Sequence, residues 1–327
     1  VNPFAYAAAR DQAEAVALLS GTAGASAIAG GTTILDLVKS GVETPAELVD
    51  ITALPLREVT ATAEGLRIGA LATMSGVASD PAVRERCPLL VEALLAGATP
   101  QLRNMATIGG NLMQRTRCDY FRDPGFARCN KRAPGSGCDA LEGENRKHAV
   151  LGTSEHCIAT HPSDLAVALV ALDATVHLAG PGGERAVPIA GFHLPPGDAP
   201  DRESVLESGE LIVAVEVPSP PPAARSTYVK VRDRASFEFA LVSVAVVVET
   251  DAGVIRSARV ALGGVATRPW RSHEAEAALT GARIGEDVFR SAAHDALRDA
   301  RPRAHNGYKV ELARRTLVRA LRTVTAP

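Results

Sequence analysis

The chain has 327 residues, 46% of them apolar and 22% charged, with a formal net charge of −2. That length supports one large or two ordinary cores, and the composition excludes a disordered chain. The near-neutral balance gives no electrostatic case for nucleic acid or an anionic membrane as partner. The longest apolar run, around Phe239 to Val248, is too short to span a bilayer and reads as a buried strand. Val1-Asn2-Pro3-Phe4 shows neither the basic nor the apolar region of a signal peptide, which favours the cytoplasm.

In chain order, Asp11 to Ser20 reads as a helix stopped by Gly21. Ser26 to Ala29 is a short strand that runs through Gly30-Gly31-Thr32-Thr33 into a helix, Ile34 to Lys39. Strand, glycine turn and helix aim backbone amides at a phosphate, although Gly-Gly-Thr-Thr reads equally as a tight turn with an N-cap threonine. Glu47 to Ile51 is a strand, and Glu58 to Ala70 a hairpin turning at Glu64-Gly65. Helices follow at Met74 to Ser79, ended by Pro81, and at Pro88 to Ala96. This alternation predicts an α/β first region.

The segment Thr107 to Asp164 carries most of the chemistry. It opens on Thr107-Ile108-Gly109-Gly110-Asn111, a second place for close backbone approach to a phosphate. Between Arg115 and Lys147 the apolar periodicity stops, and a loop of that length needs an external reason to be ordered. Cys118, Cys129, Cys138 and Cys157, spaced C-x10-C-x8-C-x18-C, offer one, because thiolates can hold iron or zinc and order a loop around it. C-x2-C pairs of a zinc ribbon are absent, and two disulfides are the other account. Cys87 lies apart and should be a buried free thiol. His148, His156 and His161 lack companion ligands at helical spacing and are not read as a metal site. Together the features suggest a redox protein with a phosphate-bearing cofactor beside a metal centre.

A helix then runs from Asp164 to Leu172, a strand from Thr175 to Ala179 into the turn Gly180-Pro181-Gly182-Gly183, and a strand from Leu211 to Val217. Pro218-Ser219-Pro220-Pro221-Pro222 is the linker candidate, dividing the chain into 1–217 and 218–327. Beyond it, strands at Thr227 to Val231, Leu241 to Glu249 and Val254 to Leu262 precede helices at Ser272 to Leu279, Glu286 to Asp299 and Tyr308 to Thr323. That is an α+β unit.

Ala29 to Thr33, Thr107 to Asn111 and Ser163-Asp164 resemble, in order and rough spacing, the FAD-contacting motifs of the flavoprotein subunit in the xanthine dehydrogenase family of molybdenum hydroxylases. The cysteine-bearing insertion near 115–157 and His305-Asn306-Gly307-Tyr308-Lys309 are most similar to the FAD and 4Fe–4S subunit of bacterial periplasmic aldehyde oxidoreductases. The resemblance implies α/β plus α+β architecture: an FAD-binding domain of the PCMH type, with two α/β subdomains, then a carbon monoxide dehydrogenase flavoprotein C-terminal-like domain. It implies that Ile28, Ala29, Gly30, Gly31, Thr32, Thr33, Thr107, Gly109, Gly110, Asn111 and Gln114 hold FAD, with Ser163, Asp164 and Lys230 toward its ribityl or ring portion. Cys118, Cys129, Cys138 and Cys157 would ligate a 4Fe–4S cluster. Arg115, Arg117, Arg122, Arg128, Lys131 and Arg132 would offset cluster charge, or form a solvated or docking face.

The implied partners are a large molybdenum-cofactor subunit, a small 2Fe–2S subunit and a soluble electron acceptor. The chain would carry electrons from those subunits to the acceptor, without oxidising the organic substrate itself. Export with a signal-bearing partner would make the periplasm the alternative compartment. Two other readings stand beside this one: a flavoprotein subunit like that of 4-hydroxybenzoyl-CoA reductase, and a non-redox zinc- or disulfide-stabilised interaction module.

Overall fold

Among the described residues, parallel pairing between strands of a sheet is confined to the N-terminal end of the chain. In the computed structural model, which describes residues 2–326, β1 (Ala5–Ala8), β2 (Ala25–Ile28) and β3 (Glu47–Asp50) form a parallel sheet in the order β1-β3-β2. Val1, the first residue of the N-terminal segment read above, and Pro327 lie outside the described residues. The crossover helices are Gln12–Gly21, started by Asp11 accepting from the Glu14 amide at 2.8 Å, and Ile34–Lys39.

The second sheet departs from a simple α/β alternation. β4 (Val59–Ala61), β5 (Gly65–Gly69), β6 (Thr175–Gly180), β7 (Gly183–Pro188) and β8 (Leu211–Pro218) lie in the order β4-β5-β8-β6-β7, and every pairing is antiparallel. Two hairpins and a long return connection build it, so no parallel crossover is needed. The edge strand β7, Gly-Glu-Arg-Ala-Val-Pro, is mostly exposed and carries no apolar alternation; it is ordered by its register with β6. The helix Met74–Ser79 stops just before Pro81 as expected, and Pro81 also begins the next: with Asp80 as N-cap, it is the first residue of Pro81–Arg86.

The third sheet holds β9 (Ala224–Val231), β10 (Val242–Asp251), β11 (Val254–Gly263) and β12 (Trp270–Arg271), in the order β12-β11-β10-β9. Val242, Val244, Val246 and Val248 of β10 pack with the helices His273–Leu279, Glu286–Asp295 and Tyr308–Thr325. Ala245 and Val247 pack on the opposite face, into the core around the helix Asp164–Ala171. Burial on both faces explains why β10 reads as a continuous apolar run. The helix Asp164–Ala171 is itself apolar all round and buried at every residue, wedged between the second and third sheets. Among the described residues, no helix is long and apolar enough to cross a membrane.

Between Gln114 and Ser163 the chain forms a single short helix, Asp119–Arg122, and is held by polar anchors instead of a core of its own. Arg115 pairs with Glu43 and Glu203, Lys131 with Glu203, Arg117 and Arg122 with Asp36, and Arg128 with Asp139. Arg132 donates to the carbonyls of Tyr120 and Phe121 at 2.7 and 2.9 Å. Arg115, Arg117, Arg122, Lys131 and Arg132 therefore spend their charge on carboxylates and carbonyls that tie the insertion down, while Arg128 stays on the surface beside Asp139. The far end is clamped by the C-terminal unit. The Asn306 amide donates to Ala149 O at 3.1 Å, and the buried Lys309 ammonium reaches the carbonyls of Lys147 and Gly264, both at 2.7 Å.

Candidate cofactor site

Two glycine turns from distant parts of the chain meet at one cavity. The first leaves β2 at Ala29 and enters the helix at Ile34, with Gly31 at φ +70°, a conformation that favours glycine. A side chain at Gly30 would place its Cβ 1.8 Å from the Met105 carbonyl oxygen, so the turn lies flat against the end of the helix Pro100–Met105. Two residues on, Thr107 caps the helix Ile108–Leu112 by accepting from the Gly110 amide at 3.2 Å. Gly109 donates to Ala70 O at 2.8 Å, and a Cβ there would press on Ala70 at 3.1 Å. Gly110, in contrast, is exposed, and a Cβ on it would meet only the Thr107 hydroxyl, at 3.0 Å.

The cavity these turns border measures about 580 Å³. Ala29, Gly30, Gly31, Thr32, Thr33, Thr107, Gly109, Gly110 and Gln114 line it, together with the segment Cys157 to His161 and the stretch entering β8. Backbone amides, threonine hydroxyls and space for a mononucleotide or larger ligand fit a phosphate-bearing cofactor.

The remaining expected residues lie elsewhere. Ile28 belongs to β2 behind the turn and does not line the cavity. Asn111 accepts from the Ser163 hydroxyl at 2.6 Å, and Ser163 in turn caps the helix Asp164–Ala171. Asp164 takes the Tyr228 hydroxyl at 2.6 Å and the Lys230 ammonium at 2.8 Å, while Lys230 also donates to Ala96 O at 3.1 Å. Lys230 sits on the edge strand β9 yet is buried, because this pair bolts the third sheet to the helix Asp164–Ala171. These groups are partnered within the protein, beside the cavity and not in its wall.

The structure brings forward two residues that periodicity could not. His161 and His193 both line the cavity with ring centroids 4.3 Å apart. His193 donates from Nε2 to Leu112 O at 3.0 Å, and His161 Nδ1 accepts from the Ser163 amide at 3.3 Å. Burial pushes both below the ordinary histidine pKa, His193 to about 4. Between that value and about 6.5 the unfolded chain binds a proton that the folded chain refuses, so stability falls as pH falls. His193 alone accounts for on the order of 3 kcal/mol of this by pH 4. His193→Gln keeps a donor for Leu112 O and should flatten the fall of melting temperature between pH 6.5 and 4.5; an unchanged slope would contradict a neutral buried His193.

The insertion's four cysteines are free thiols in one neighbourhood. Cys129 and Cys138 face each other across an isolated antiparallel bridge, and Cys118 and Cys157 lie close enough to influence them electrostatically. Backbone amides face the sulfurs: Tyr120 and Phe121 toward Cys118, Ala140, Leu141 and Ile158 toward Cys138, and Ala159 toward Cys157 at 3.4 Å. Burial pushes the Cys118, Cys138 and Cys157 thiols up, Cys157 to about 11. Amide donors converging on buried sulfur fit thiolates whose charge is taken by metal. Among the described residues, no three His, Cys, Asp or Glu side chains converge tightly enough for one ion. Cys87 is buried in the main core, away from the insertion, and burial pushes it to about 11. His148, also buried and pushed down to about 4 by burial and the Lys309 ammonium, points Nε2 at Cys118 Sγ, 3.1 Å away.

Residues 2–220 match the family model described as the FAD binding domain in molybdopterin dehydrogenase, and residues 227–324 match the CO dehydrogenase flavoprotein C-terminal domain. The chain belongs to the FAD-binding subunits of the xanthine dehydrogenase and carbon monoxide dehydrogenase family. It is 50% identical over 324 residues, 98% of each chain, to the aldehyde oxidoreductase FAD-binding subunit PaoB of Escherichia coli strain K12. It is 28% identical to the carbon monoxide dehydrogenase medium chain of Hydrogenophaga pseudoflava, over 99% of this chain and 97% of that one. The solved carbon monoxide dehydrogenase of Hydrogenophaga pseudoflava superimposes with a TM-score of 0.79 at 28% identity, covering 100% of this chain and 99% of the other. As an FAD-binding subunit, the chain presents two glycine turns and a cavity suited to that cofactor.

Proposed function

We propose that the chain is the FAD- and 4Fe–4S-carrying electron-transfer subunit of a molybdenum-dependent aldehyde oxidoreductase. Its partners would be a large molybdenum-cofactor subunit and a small 2Fe–2S subunit, with delivery to a soluble acceptor. The carrying observation is Cys157, which lines the cofactor cavity and belongs to the cysteine group, so one short segment forms the wall between the two candidate centres. The 50% identity to an aldehyde oxidoreductase subunit supports the substrate class. The functional units are 1–217, with the insertion near 115–157, and 218–327.

Bound FAD supplies one- and two-electron exchange, and the chain's contribution is placement. Amides of the turn at Gly30-Gly31 would face the pyrophosphate and the side-chain-free Gly110 would let it approach closely, with the hydroxyls of Thr32, Thr33 and Thr107 adding donors. Cys118, Cys129, Cys138 and Cys157 would hold the iron. The Asp164–Lys230–Tyr228 cross-link keeps the third sheet fixed beside the cavity.

Anaerobic addition of an aldehyde to the purified complex tests the role. The flavin absorbance should bleach and return when acceptor is added. Reduction that stops at the partner subunits would contradict the role, and bleaching by a CoA thioester's product but not by aldehydes would favour the reductase-like alternative.

A further inference from the structure

We infer that His148 is a positioning residue for the iron–sulfur centre: its Nε2–H donates to the Cys118 sulfur and raises the centre's reduction potential. The inference rests on the cluster reading above, and concerns a side chain that the cysteine pattern does not include.

The contact is 3.1 Å from Nε2 to Sγ, within reach of a hydrogen bond to sulfur. A thiolate bound to iron has no proton to give, so in a neutral ring the proton of this contact belongs to Nε2. The other nitrogen, Nδ1, is buried and has no partner in the protein, so nothing there competes for the proton.

The ring is held from several sides. The His148 amide donates to Asn145 O at 2.9 Å, and the Asn306 amide donates to the carbonyls of His148 and Ala149 at 3.4 and 3.1 Å. Asn145 itself accepts from the His305 amide at 2.9 Å, and the Tyr120 ring lies 6.1 Å from the imidazole, centroid to centroid. His305 to Lys309, which the sequence marks only by a likeness, thereby fixes the backbone that aims this imidazole.

Cys118 is the corner where a side chain joins the amide donors, since Cys138 and Cys157 are faced by backbone N–H groups. A donor to a ligating sulfur favours the reduced centre, which carries the extra negative charge. His148 therefore sets the potential relative to the flavin across the Cys157 wall.

The test compares the anaerobically purified full chain with His148→Phe, which fills the space without a donor, and His148→Gln, whose amide N–H can take the place of Nε2–H. Iron and acid-labile sulfide are assayed, and the midpoint potential is followed by electron paramagnetic resonance. His148→Phe should keep its iron and shift the one-electron equilibrium by about tenfold toward the oxidised centre, a fall of about 59 mV. His148→Gln should restore most of it. Full iron with an unchanged midpoint in His148→Phe overturns the inference. Should His148→Phe assemble no cluster, wild-type protein carrying nitrogen-15 histidine decides. The reduced centre must show a coupling to imidazole nitrogen that His148→Gln abolishes, and its absence overturns the inference. Wild-type protein that holds FAD but no iron is the distinct outcome that removes the cluster reading as well.

Discussion

Gly110→Leu should give a protein that folds like the parent and binds FAD at least about 100-fold more weakly. Gly110 is not among the left-handed glycines, so a side chain costs no backbone strain, and within a helix leucine is the better former. Its Cβ would meet only the Thr107 hydroxyl, after which the side chain extends into the cavity where the pyrophosphate is proposed to lie. Gly30 is a poorer probe. Its Cβ would strike the Met105 carbonyl, so a substitution would disturb the fold and the site together. Equilibrium dialysis of FAD against both apoproteins, with melting curves as the control for folding, checks the prediction. Parent-like affinity in Gly110→Leu would mean that the second turn does not face the cofactor.

Cys138→Ser should separate the two centres. The hydroxyl is a poor ligand for iron at neutral pH, so iron should fall from about four per chain to well below one, while FAD stays bound. Cys138 suits this because it stands on the side of the insertion away from the main cavity, which it does not line. Cys157, in the shared wall, would confuse the two effects. Cys87→Ser is the control: that thiol lies in the core beside Leu89 and Leu90, and its loss should leave both contents unchanged. Unchanged iron in Cys138→Ser would take that cysteine out of the ligand set.

Much of the fold is legible in the sequence because its elements are locally marked. Asp11 and Ser163 are side-chain N-caps at the starts of helices, and the three strands after Pro222 run where β-branched residues concentrate, whereas the short helix Ile108–Leu112 behind Thr107 is not marked. The antiparallel second sheet is hidden because paired strands such as β5 and β8 lie more than a hundred residues apart in the chain, and β7 exists only through its partner. The site divides the same way. Both glycine turns announce themselves, since a close backbone approach needs residues without side chains. Asp164 and Lys230 carry chemistry that the sequence points at a ligand, yet each finds the other, one at the start of a helix and one on the edge strand β9. His193 gives no local sign at all; only the return of the chain after β7 brings it to the cavity beside His161. Arg115, Arg117, Arg122 and Lys131 of the insertion are poor guides for a similar reason: their carboxylate partners Asp36, Glu43 and Glu203 come from outside it.

The most direct measurement is iron, acid-labile sulfide and FAD per chain on anaerobically purified protein, with the visible spectrum before and after dithionite. About four irons, four sulfides and one FAD, with absorbance that bleaches on reduction, is the result expected of a chain that places both centres on either side of Cys157. Folded protein with about one FAD and no iron or sulfide would contradict it.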